Sequence, residues 1–143
     1  MEKRHHINQN IKELVPQALL VSQAIFSEPS QAKQLVIDSL SVLSIETKGR
    51  FLAHPVSKTL NYRVLEVMSR LLKHKKSHLA DKEFGFYNLQ PFERFLLILK
   101  YRVGISQDEI CEVTKLPSEV VADKLYQAKV HLEKYSELCV GRA

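Results

Sequence analysis

Residues Leu89–Tyr135 read LQPFERFLLILKYRVGISQDEICEVTKLPSEVVADKLYQAKVHLEKY, and this stretch decides the fold. It predicts three helices, the last two forming a helix-turn-helix. Ser106-Gln107-Asp108-Glu109 has the form of a capping box, in which the Ser106 hydroxyl accepts from the backbone N–H three residues on and Glu109 reaches back. Gly104 supplies the backbone freedom to leave the preceding helix. Lys115-Leu116-Pro117-Ser118 is the turn: Pro117 presets the dihedral for a fresh start, and Ser118 caps or opens the next helix. Val121, Leu125, Ala128 and Leu132 then recur at helical period as the inner stripe of that helix.

If those four residues face inward, the opposite face carries Glu119, Asp123, Tyr126, Gln127 and Val130, with Ala122 at its margin. A helix in the major groove needs cations for phosphates and forked donors for bases. Here two carboxylates occupy the face, and phosphates repel them. Lys124 and Lys129 flank it and Lys115 lies in the turn, within reach of phosphates. Carboxylates do accept from cytosine, so the candidate DNA-contacting set is Lys115, Ser118, Glu119, Ala122, Asp123, Lys124, Gln127 and Lys129. An aromatic flanked by an aliphatic suits a protein interface, which makes Tyr126 and Val130 candidate partner anchors.

Outward from this stretch, the chain has 143 residues, room for one domain or two small helical ones. Hydrophobic residues make up 45% and only four are glycine, so a packed all-α protein is expected. No apolar run is long enough for a membrane span, and the start, Met1-Glu2-Lys3-Arg4-His5-His6, lacks the apolar core of a signal peptide. Cys111 and Cys139 have no metal-type spacing, and Cys111 reads as a small buried thiol. These features point to the cytoplasm. A formal charge of +5 permits a nucleic-acid partner without requiring one.

Ile7, Ile11, Leu14, Ala18, Ser22, Ile25 and Phe26 mark an amphipathic helix over Ile7–Phe26, with Pro16 bending or dividing it. Ser27-Glu28-Pro29-Ser30 is a break followed by a new cap. A helix over Gln31–Ile45 turns Leu35, Val36, Leu40 and Leu43 inward. Thr47–Pro55 reads as a loop, with Phe51 and Leu52 tucked into the core. Ser57 caps a long helix whose buried face is Leu60, Val64, Val67, Met68, Leu71 and Leu72. Its basic end, Lys73 to His78, suits the negative terminus of a helix. The connection that follows carries Phe84, Phe86 and Tyr87, too aromatic for a bare tether, and is expected to dock. The predicted layout is a helical domain over 1–78, a linker over 79–88 and a helix-turn-helix domain over 89–143.

Taken together, Leu89 and Pro91, Gly104, Ser106 with Glu109-Ile110-Cys111, and Leu125 with Ala128 and Leu132 resemble region four of bacterial sigma factors of the extracytoplasmic-function group. A plain three-helix bundle with good caps carries many of the same signals. The resemblance covers about a third of the chain. The first half is similar, less closely, to sigma region two: Pro29 leads into Ala32-Lys33-Gln34-Leu35-Val36-Ile37-Asp38-Ser39-Leu40, and a long helix with a basic end follows. The likeness implies that Gln34 and Asp38 occupy the positions that dock on RNA polymerase, although Lys33 and Ile37 depart from the pattern. It implies promoter-melting aromatics on the third helix, where this chain has only Tyr62 and no tryptophan.

Two function classes follow from the resemblance. One is a divergent sigma-like regulator that contacts RNA polymerase core and promoter DNA. The other is a sigma mimic that binds an anti-sigma factor or another regulator without reading DNA. A third class, a helical enzyme or metal protein, has little behind it. His74 and His78 are four apart with no third ligand nearby. There is also no phosphate loop or nucleophile elbow. The expectation is therefore no metal, no cofactor and no catalysis.

Overall fold

Pro29 opens a helix two residues earlier than the spacing of apolar residues predicts, because a proline is well tolerated where the first-turn N–H groups have no partner. That helix, α2, runs Pro29–Thr47 with Glu28 as its N-cap, so Ser30 is an interior residue and not the cap expected of it. The computed structural model describes residues 15–50, 58–75, 86 and 89–140, with 58–59 and 134–140 described in backbone only. Within these, α1 covers 15–25, α3 Lys58–Lys73, α4 Pro91–Ile98, α5 Gln107–Thr114 and α6 Ser118–Val140. Among the described residues every regular element is helical, and the fold is all-α.

Expectations for Ile7, Ile11, Leu14, Phe51, Leu52, Ser57, Phe84, Tyr87 and His78 fall outside the described residues. Phe86 is half-buried, and its carbonyl accepts from the Leu89 N–H at 3.2 Å.

The chain divides into two compact units, Met1–Leu71 and Leu72–Ala143. In the first, the core gathers Ala18, Ile25 and Phe26 from α1 and the residue after it, Ala32, Leu35, Val36 and Leu43 from α2, and Leu60, Val64, Leu65, Val67 and Met68 from α3. Leu40 and Leu71, expected inside, are half-buried. Each of the three helices also buries one serine completely: Ser22, Ser39 and Ser69. The α2 helix ends on two successive left-handed residues, Lys48 (φ 52°) and Gly49 (φ 74°). Their N–H groups return to the carbonyls of Ile45 and Ser44, satisfying acceptors that the helix end leaves open.

The second unit is built on α4, whose apolar residues Phe95 to Ile98 are buried, as is Leu99 after it. It does not end at an ordinary cap. Residues Leu99–Val103 form a π-helical turn, and Gly104 (φ 79°) closes it, its own N–H and that of Ile105 both donating to the Leu99 carbonyl at 3.0 and 3.1 Å. The expected exit at Gly104 is present, but the widened turn before it has no signature in the apolar spacing. The capping box forms as its residues dictate: the Glu109 N–H donates to Ser106 Oγ and the Ser106 N–H to Glu109 Oε1, each at 3.2 Å. Cys111 of α5, expected inside, is half-buried. Lys115, left-handed at φ 57°, ends α5, and the Pro117 carbonyl accepts from the Val121 N–H as α6 begins. Helix α6 packs on both α4 and α5.

Candidate functional site

The inner stripe of α6 is where its spacing places it. Val121, Leu125 and Ala128 are buried and Leu132 is half-buried, against the apolar faces of α4 and α5. The complementary face is therefore fixed outward. Glu119, Ala122, Asp123, Tyr126, Gln127, Lys129 and Val130 are all exposed. Tyr126 is 68% exposed, a large ring left in solvent beside Val130. Along this face Gln127 Nε2 donates to Asp123 Oδ2 at 3.3 Å, one turn back on the same helix. Along the face the acids Glu119 and Asp123 come first, and Tyr126, Gln127, Lys129 and Val130 follow.

The remaining candidates divide between the turn and the inside of the unit. Lys115 is exposed on the turn. Ser118, the first residue of α6, is engaged: Gln107 of α5 donates its amide to the Ser118 hydroxyl at 3.1 Å and to its carbonyl at 3.3 Å. This brace ties the start of one helix to the start of the other. Lys124 is half-buried, and its ammonium lies over the Phe92 ring, 5.9 Å from the centroid. It thus projects along the margin against α4 and away from the outward acidic face. Lys73, also in the second unit, lies over the same ring at 5.9 Å and donates to the Thr114 carbonyl at the end of α5, at 2.5 Å. A cation there complements the negative terminus of a helix. The sequence alone identifies Lys73 only as the basic end of its own helix; nothing in its spacing points to a carbonyl 41 residues away.

In the first unit, Gln34 and Asp38 share a face of α2 and bond to one another, Gln34 Nε2 donating to Asp38 Oδ1 at 2.7 Å. Gln34 is exposed and Asp38 half-buried. Ile37 and Ile45 on the same helix are exposed. Further along, Arg70 of α3 clamps the Glu46 carboxylate of α2 through both terminal guanidinium nitrogens, at 2.5 and 2.9 Å. That hydrogen bonding holds the Glu46 carboxyl below its ordinary range and raises the Arg70 guanidinium.

Among the described residues, no three His, Cys, Asp or Glu side chains come together as a metal site would require. No helix among them is long and apolar enough to cross a membrane.

No family model matches the chain, and no curated protein matches it. Its fold is similar to that of the anti-anti-sigma factor PhyR from Bartonella quintana, solved in complex with the anti-sigma factor NepR, with a TM-score of 0.65 at 16% sequence identity. The alignment takes in 86% of this chain and 48% of the PhyR chain, so this chain spans about half the length of that protein.

Proposed function

We propose that this chain is a sigma-shaped interaction module, a regulator that engages an anti-sigma-type protein and acts by binding, without catalysis and without reading promoter DNA. The observation that carries this reading is the outward face of α6. A groove-reading helix at that place needs cations, and this one presents Glu119 and Asp123 followed by Tyr126 and Val130. Lys124, one of the cations nearest that face, leans over Phe92 instead. An exposed tyrosine next to an aliphatic residue, with carboxylates at its edge, has the composition of a protein-binding surface. The likeness to PhyR supports the same reading, since that anti-anti-sigma factor was solved with an anti-sigma factor bound. A regulator of this kind works beside the transcription machinery, in the cytoplasm.

The alternative, a sigma-like regulator that docks on RNA polymerase core through Gln34 and Asp38 and on DNA through α6, is favoured by the exposed cations Lys115 and Lys129 beside the turn and the outer face. The two readings separate in one experiment. The tagged full chain is incubated with extract of its native cell, and the retained proteins are scored for core polymerase subunits against a small anti-sigma-type regulator. We expect the regulator, with its capture lost when Tyr126→Ala is combined with Glu119→Lys and Asp123→Lys. Capture of core polymerase in its place, undiminished by those substitutions, refutes the proposal.

A further inference from the structure

Lys73 and Lys124 bring two ammonium groups to one aromatic ring, each 5.9 Å from the centroid of Phe92. Phe92 itself is only 8% exposed, so the ring is a fixed, largely dry floor. The stems of two lysines on such a floor would ordinarily let their charged ends diverge into water. Here Lys73 is instead anchored by its bond to the Thr114 carbonyl. One of its three donors is spent on that bond and two remain. Lys124 rests on the ring through its charge, which consumes none of its N–H donors. Among the described residues, neither lysine forms an ion pair with a carboxylate. Burial first, and then the charge of Lys124, lower the Lys73 ammonium from the ordinary lysine value. Two ammonium groups at one ring, neither paired with a carboxylate among the described residues, are a frame for an anion that would neutralise both.

We infer that Lys73 and Lys124, set over Phe92 at the end of α5, form a binding site for a phosphate group. Lysine binds phosphate as a point charge, without the planar fork that favours a carboxylate for arginine. A phosphate carries enough charge to satisfy both ammoniums, whereas one carboxylate leaves a net positive charge behind. The phosphate has two sources that this chemistry does not separate, a free phosphate and the backbone of a nucleic acid.

The test is thermal unfolding of the full chain in inorganic phosphate against sodium chloride of equal ionic strength. Phosphate should raise the midpoint by about 2 °C or more, saturating with concentration, as a ligand of the native state does. Lys73→Gln and Lys124→Gln should each remove the phosphate-specific rise, and Lys124→Arg should retain it because the charge is kept. Lys33→Gln, at an exposed position on α2 in the first unit, should respond as the wild type does. Side-chain NMR of the two lysines, read on the wild-type chain, should show both signals moving on phosphate addition; this keeps the question answerable if a variant fails to fold. An equal rise in chloride, or a rise that survives in both Gln variants, overturns the site. A second arm adds a short labelled duplex. Binding that disappears in Lys73→Gln and Lys124→Gln identifies the nucleic-acid backbone as the source, while phosphate stabilisation without duplex binding identifies a free phosphate.

Discussion

The Glu46–Arg70 clamp joins two helices of the first unit, and its energetics are set by where it sits. Both side chains remain well exposed, at 36% and 44%, so water screens much of their attraction and the pair is worth roughly a few tenths of a kcal/mol up to about 1. Its pH signature is clearer than its size. Glu46 binds its proton less tightly in the folded chain than at its ordinary value of 4.5. The clamp therefore contributes fully above about that pH, and the contribution is lost as pH falls through the lowered folded value. Glu46→Gln should reduce the midpoint slightly at neutral pH and flatten the acid limb of stability against pH, the two curves meeting in acid. Parallel curves would mean that the clamp adds nothing. Nothing in the sequence suggests this pair, because 24 residues separate the partners and their facing depends on how α2 lies on α3. The same limit explains Lys124: helical period places it at the margin of the outward face, but only the packing of α6 on α4 turns its ammonium over Phe92.

Helices are legible where their signals are local. The Ser106–Glu109 box, the exit at Gly104 and the α6 stripe of Val121, Leu125 and Ala128 all follow from spacing within a few residues, and all are present. Boundaries set by competing signals are not: Ser30 looks like a cap, yet Pro29 begins α2 because its ring suits the first turn. The π turn at Leu99–Val103 is also silent in the sequence, since i→i+5 bonding leaves the apolar run uninterrupted. At this scale the capping box gives a direct expectation. Ser106→Ala removes the acceptor for the Glu109 N–H and should cost about 1 kcal/mol, read as a lower denaturant midpoint with an unchanged slope. A loss of several kcal/mol would mean that Ser106 does more than cap α5.

For the molecule as a whole, charge and surface disagree in an informative way. The chain is basic, with a formal charge of +5, yet the outward face of α6 carries Glu119 and Asp123 exposed. Net charge alone attracts polyanions without specificity; the local acids oppose them at this helix. Replacing both with lysine converts two repulsions into two attractions. Glu119→Lys with Asp123→Lys should raise affinity for non-specific duplex about tenfold or more at low salt. The dependence on salt should steepen too, its logarithmic slope growing by about 0.9 for every further phosphate neutralised. Unchanged low-salt binding would show that α6 does not approach a duplex through this face.

The π turn governs the direction of everything after it. It holds one residue more than an α-helical turn would, and each residue of a regular helix swings the chain by roughly 100°. That surplus residue sets the bearing at which the chain leaves α4. A single deletion between Leu99 and Val103 would act as a swivel, redirecting the tyrosine of α6 toward a different quadrant.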